Sequence, residues 1–422
     1  MERLNEIYRM NITKTKLYAS IFVIVISLQL YLPSFRANVF IQIAALGLFF
    51  LFEKMSFSNN FLKTIAPVIL LIFVGLLGIQ TQNYHAIDII KDIFHFVKPL
   101  LGIFIGYFFY KKINNFKEFI RTIVLIGFVS AIIHFCIILF FSRIGTLSDL
   151  REFGKDNYLE LFALFFLGYY KKFQKESLFL RKANYNIILY SLLVSNILYF
   201  SRTMIVVAIL LWISIHGYTK ITKASIKIVG MLAVLVLCFY VYLFSVKIDR
   251  DKSGMSSFLY KIKIAPSEIF KTKVDRENHK DLWDHWRGYE AKRAFALMQK
   301  NPSSFIYGCG YGSLVNLRFW APLSNDSKGM KYISELHNGY AFVLYKTGII
   351  GICIYLTFLY LLYYRIYDYQ DFGTVVISAI GLIFLFTTLT ITGIYNTKDV
   401  IVFILGAMLF FQKKTNLKAI ET

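Results

Sequence analysis

Apolar residues in this chain come in long unbroken runs separated by short polar stretches. Segments such as Ile205 to Ile213 and Ile228 to Leu243 are apolar all round. That pattern fits helices immersed in hydrocarbon and not the period-two alternation of barrel strands. Runs of roughly 16 to 23 residues recur, the length that crosses about 30 Å of hydrocarbon at about 1.5 Å per residue. Twelve stretches are expected spans: 17–32, 38–52, 62–80, 94–110, 119–141, 157–170, 185–200, 203–219, 226–246, 337–364 with a break, 373–391 and 398–412. One long polar stretch, 247–336, follows the ninth. The pattern predicts an all-α polytopic membrane protein in three parts: spans one to nine over 1–246, a large helical loop over 247–336, and spans ten to twelve with the C-terminus over 337–422.

Composition agrees, since 57% of the 422 residues are hydrophobic and the mean hydropathy is +0.56, far from a soluble domain. An even number of spans puts both termini on one side. Basic residues such as Lys111, Lys112, Lys171, Lys172, Lys220, Lys223, Lys413 and Lys414 make that side cytoplasmic, and the long loop, exempt from the rule, faces outward. The first span lacks a small-residue cleavage site and is expected to remain as an anchor. The formal charge of +22 is scattered between spans, which suits anchoring to the inner leaflet and not binding to nucleic acid. The loop carries 16 Lys and Arg against 10 Asp and Glu, a surface for an anionic ligand or lipid headgroup. Cys309 is the only cysteine in that loop, so no disulfide forms within it. No internal repeat is visible and midspan charges are few, which weighs against a twelve-span transporter.

Within the loop, Ser256 to Phe270 reads as a short amphipathic helix and Trp286 to Met298 as another, ended by Asn301-Pro302. Tyr307-Gly308-Cys309-Gly310-Tyr311-Gly312 follows. No Lys-Ser/Thr comes after it, so it is not a phosphate loop. It is either a tight turn beside the site or a set of backbone N–H groups that touch phosphate.

An enzyme on the outer face has no ATP or nucleotide sugar, so its free energy must arrive inside the substrate. A lipid-linked diphosphate sugar meets that need. Its diphosphate leaves without protonation, so transfer needs one base for the acceptor hydroxyl and cations for the departing charge. The carboxylate pair of glycoside hydrolysis is not required. His337, where the loop re-enters the membrane, is the candidate base, with an ordinary imidazole pKa of about 6.5; headgroup anchoring or helix capping is the plainer alternative. Arg202 at the outer end of a span and Arg287 in the loop are candidate anion ligands, because two guanidinium forks match a diphosphate better than two ammonium groups. Arg293 is a weaker third. Their plainer readings are snorkelling for Arg202 and, for Arg287, a solvated helix face paired with Glu290 or its neighbours. Asp88, Lys91, Asp92, His95 and Lys98 share a helix face that is either solvated or binds the acceptor or lipid phosphate. His85, His95, Asp88 and Asp92 show no zinc spacing, and no metal or other cofactor is expected. His134 and His216 read as packing residues. Trp283, Trp286 and Trp320 either stack on sugar rings or anchor at the interface.

His337-Asn338, nine residues, Gly348, two residues and Gly351 resemble the signature of the O-antigen ligase and polymerase superfamily of bacterial envelope glycosyltransferases. Ser201-Arg202 and the Arg287-x-Tyr289-Glu290-Ala291 context resemble that family's two functional arginines. The resemblance implies a GT-C-like, metal-independent, inverting transferase in the bacterial inner membrane that uses undecaprenyl-diphosphate-linked glycans. His337 would activate the acceptor hydroxyl on the periplasmic face. Arg202 and Arg287 would hold the diphosphate, with Arg293 competing for the second role, and Asn338, Gly348 and Gly351 would shape the motif. Membrane lipids and a chain-length regulator protein are the other implied partners. Polymerisation of lipid-linked repeat units is the expected activity; ligation of the glycan to lipid A core is the alternative, and a flippase or exporter is the nonenzymatic rival.

Overall fold

The computed structural model describes residues 2–32, 34–81, 83–141, 156–250, 255–271, 274–275, 278–323, 329–368, 371–396 and 398–421. Among the described residues, nine helices come first: α1 (Glu2–Tyr31), α2 (Phe35–Phe52), α3 (Asn59–Leu77), α4 (Ala86–Ile113), α5 (Phe116–Phe141), α6 (Tyr158–Gln174), α7 (Lys182–Leu198), α8 (Arg202–Ile215) and α9 (Lys223–Ser245). The polar segment holds α10 (Met255–Phe270), α11 (His279–Asp284), α12 (Trp286–Met298), α13 (Ser304–Tyr307), β1 (Val315–Ala321) and β2 (Met330–Ile333). Then come α14 (Gly339–Tyr363), α15 (Phe372–Thr390) and α16 (Ile401–Glu421). The protein is an all-α polytopic membrane protein, and each of the twelve expected stretches falls on a helix.

By length and composition, eight helices among the described residues can cross a membrane: α1 to α5, α9, α14 and α15. The other four are α6 and α7 at 17 residues each, α8 at 14, and α16, whose apolar part is Ile401–Gln412. Burial orders the bundle. The apolar windows of α4 and α15 are 72% and 78% buried, against 6% for α9, so α4 and α15 are central and α9 lies at the periphery. Glycine lets α4 and α16 touch backbone to backbone: a Cβ on Gly106 would stand 2.0 Å from the Phe403 carbonyl oxygen, and one on Gly406 equally close to that of Ile103. Such close approach supplies dispersion contact where lipid offers no hydrophobic drive between helices.

The two helices expected in the polar segment both form, α10 within one residue of its predicted start and α12 over the predicted range. The antiparallel ribbon of β1 and β2, pairing Val315 with Ile333 and Asn316 with Tyr332, was not expected. Its inward Val315, Leu317 and Ala321 are buried, and its Phe319 ring lies against those of Trp286 and Tyr289 of α12. Trp286 therefore belongs to the core of this segment and not to a sugar-stacking surface, whereas Trp320 is 60% exposed.

Candidate active site

α12 carries the centre of the site, and its position is fixed by two bonds to β1. Tyr289 Oη donates to the Leu317 carbonyl at 2.5 Å and Arg293 Nε to that of Asn316 at 2.9 Å. Arg293 is thereby turned to the ribbon and buried. Arg287 and Glu290, three residues apart, share one face of the helix.

Glu290 is fully buried and its carboxylate is given to His337. It accepts the main-chain N–H of His337 at 2.9 Å and stands 3.0 and 3.1 Å from His337 Nδ1. A carboxylate accepts only, so Nδ1 carries the proton and Nε2 keeps its lone pair. The His337 side chain is 56% exposed, so that lone pair is open to a substrate. The Glu290 hydrogen bond raises the His337 pKa above the ordinary imidazole value, outweighing partial burial and the nearby Arg287 charge. The sequence shows the spacing of Glu290 from Arg287 but not its partner, His337.

The two arginines meet on one carboxylate. Glu268 of α10 accepts from Arg287 Nη1 at 2.7 Å and from Arg202 Nη1 and Nη2 at 3.1 and 3.3 Å. Arg202 also donates to the Lys261 carbonyl. Arg202 reaches this point because Ser201 caps α8, accepting the Met204 N–H at 3.2 Å, which leaves the arginine on the first turn. Arg287 thus pairs with Glu268 and not with Glu290.

The signature residues around His337 build its support. Asn338 is the N-cap of α14, accepting the Ala341 N–H at 3.1 Å. Gly348 has φ 65° and ψ −167°, a backbone state closed to other residues, and it makes the expected break in the tenth span. A Cβ there would lie 2.3 Å from the Ile306 carbonyl oxygen. At Gly351 it would meet the Thr347 side chain at 1.8 Å and Leu71 of α3 at 3.0 Å.

The glycine turn at 308–312 plugs into the same region. The N–H groups of Gly308, Cys309, Gly310 and Tyr311 donate to the carbonyls of Ser304, Tyr345, Lys346 and Gly75, and that of Gly312 to Asp92 Oδ2 at 2.7 Å. Every donor is spent inward, which overturns phosphate contact and leaves the tight turn. Asp92 also forms a fully buried pair with Lys346 Nζ at 2.5 Å, and Lys346 donates to the Ser313 carbonyl at 2.6 Å. The face of α4 holding Asp92, His95 and Lys98 is therefore buried, which corrects its solvated reading: periodicity placed these residues together but could not say that protein covers them. His95 Nε2 lies 2.9 Å from Glu335, two residues before His337, with Lys91 at 3.8 Å. Against burial, which pushes the Glu335 carboxyl up, His95 and Lys91 bring it below the ordinary range.

Residues 187–356 match the family model described as O-antigen ligase. No curated protein and no solved structure matches the chain. The matched stretch runs from α7 into α14 and contains Arg202, Glu268, Arg287, Glu290, His337 and both signature glycines. That match covers the part of the chain holding the site and supports an assignment to the O-antigen ligase and polymerase superfamily.

Proposed function

We propose that this membrane enzyme transfers a glycan from undecaprenyl diphosphate to a sugar hydroxyl on the outer face of the inner membrane, and that it polymerises lipid-linked repeat units. The observation that carries the reading is the single assembly of a carboxylate-held histidine and two converging arginines on α12 and α8. His337 Nε2 takes the proton of the acceptor hydroxyl as its oxygen bonds to the anomeric carbon. The bond from that carbon to the diphosphate breaks, and the electron pair leaves on the diphosphate oxygen. Attack opposite the leaving group inverts the anomeric centre. Arg202 and Arg287 take the departing charge in place of Glu268, a stabilisation that is strongest when it is preorganised. Glu290 holds the imidazole tautomer and balances the positive charge that His337 gains. Arg293 serves the scaffold of the site.

Transfer onto lipid A core is the second reading, favoured by the description of the matching family model. The test is to give the purified, reconstituted protein its lipid-diphosphate repeat unit with lipid A core present and to resolve products by size. A ladder of lengthened lipid-diphosphate chains is expected. Single transfer to core without a ladder makes it a ligase. Movement of intact substrate across the bilayer with no new glycosidic bond makes it a flippase.

A further inference from the structure

A second polar assembly lies between α1, α5, α6 and α7. Glu160 is fully buried and accepts from Ser130 at 2.7 Å, Tyr199 at 2.8 Å, Asn157 at 3.0 Å and Ser195 at 2.5 Å. Because Ser195 gives its one proton to the Glu160 carboxylate, its oxygen must accept from His134 Nδ1, 2.8 Å away. His134 is 3% exposed, and its Nε2 has no hydrogen-bond partner. The relay fixes that nitrogen as a bare acceptor. A buried acceptor without a donor is costly, which marks the place for a hydrogen-bond donor.

His134 borders a cavity of about 250 Å³, together with Tyr31, Asp156, Asn157, Tyr199 and Lys398. At about 30 Å³ per water this is room for about eight waters, well beyond a single bridging water and enough for one sugar ring with its hydroxyls. The lining offers a carboxylate, an ammonium, an amide and an imidazole lone pair, a mixture that suits groups able both to donate and to accept. Leu30, Ile133 and Ile137 supply the apolar wall that a ring's C–H face needs. Tyr31, Asn157 and Tyr199 stand at the ends of α1, α6 and α7, so the cavity lies at a mouth of the bundle. It lies at the same end of the bundle as Arg202, which follows Tyr199 by three residues, and Ser34 and Phe35, just beyond Tyr31, line a groove with Glu335.

We propose that this chamber is a sugar-ring subsite for the lipid-linked glycan, with His134 Nε2 accepting a hydrogen bond from a ring hydroxyl. The assignment rests on the reading of Arg202 and Arg287 as ligands of the diphosphate on the same substrate. The experiment measures binding of the full-length protein in nanodiscs to undecaprenyl diphosphate and to undecaprenyl-diphosphate repeat unit, for wild type, His134→Phe and Asp156→Asn. Wild type is expected to prefer the glycosylated lipid, and each variant to lose that preference by about tenfold, the scale of one hydrogen bond, while binding of the sugar-free lipid stays the same. An unchanged preference in both variants, or an equal loss for both lipids, makes the network a structural polar core and overturns the subsite. Should His134→Phe fail to fold, Asp156→Asn decides alone. A wild type that binds both lipids equally rejects the subsite but keeps the diphosphate reading; one that binds neither better than phosphatidylglycerol rejects both.

Discussion

Glu290 and Glu268 are both buried carboxylates of the segment between α9 and α14, yet they are bonded in opposite ways. Glu290 gives its whole carboxylate to one residue, taking the main chain and the ring of His337. Glu268 is divided between two guanidiniums from elements 85 residues apart in sequence, Arg202 and Arg287. The first arrangement is saturated and, on the proposed mechanism, sets a base. The second is not, because two guanidiniums present about ten N–H donors to one carboxylate, and Arg287 Nε remains without a partner. A diphosphate, with more oxygens and more charge, fills such a site better. The contrast separates a fixture from a placeholder.

The largest effect that tests the fixture comes from removing the base. His337→Ala should lower transfer by about 10²–10⁴-fold, and the thermal unfolding midpoint should fall as well, because the fully buried Glu290 carboxylate loses the ring it is bonded to. Normal product from that variant would end its assigned role. Glu290→Gln should follow, at roughly 10–100-fold in kcat, and its pH profile is the sharper reading. His337 must be neutral to accept a proton, so activity falls as pH drops through its pKa, which the Glu290 hydrogen bond holds above the ordinary value. Without the carboxylate the acid limb should move to lower pH. A limb that stays in place, measured as kcat against pH, would show that Glu290 does not act on His337.

On the arginine side, Arg202→Lys and Arg287→Lys should each weaken affinity for undecaprenyl diphosphate by about tenfold, since a point ammonium loses the two-pronged geometry. Affinity unchanged in both would break the clamp, whereas Arg293→Lys should act mainly on stability through its bond to Asn316.

Much of this architecture was legible in the sequence. Long apolar runs must be helices in a bilayer, because every backbone group needs an internal partner, and all twelve became helices. Gly348 and Asn338 announced a break and a cap because their chemistry is local. What stayed hidden depends on distant partners: Asp92 with Lys346 across 254 residues, Arg202 with Glu268 across 66. Periodicity shows which residues share a face, not what covers it, as the buried Asp92, His95 and Lys98 demonstrate. The ribbon did leave a trace, since Val315, Leu317 and Phe319 alternate with Asn316, Arg318 and Trp320, a period-two signal easily lost beside longer helical ones.

The smallest effect is also the one that separates the two carboxylates most directly, because it should carry the opposite sign. If Glu268 holds the seat of the diphosphate, the empty enzyme must release it before the donor binds, and apparent affinity is reduced by the fraction of molecules in which the seat is free. Glu268→Gln keeps the shape but removes the charge that competes. Affinity for undecaprenyl diphosphate should then rise by about two- to fivefold, while the unfolding temperature falls, because two partly buried guanidiniums lose their counter-charge. Bound donor should restore that temperature more in the variant than in wild type, since it supplies the missing anion. No such reversal is open to Glu290→Gln, where the amide oxygen still accepts from Nδ1 and no substrate group replaces the lost charge. Weaker binding in Glu268→Gln would make Glu268 a brace that positions the arginines, and the distinction between the two carboxylates would fall.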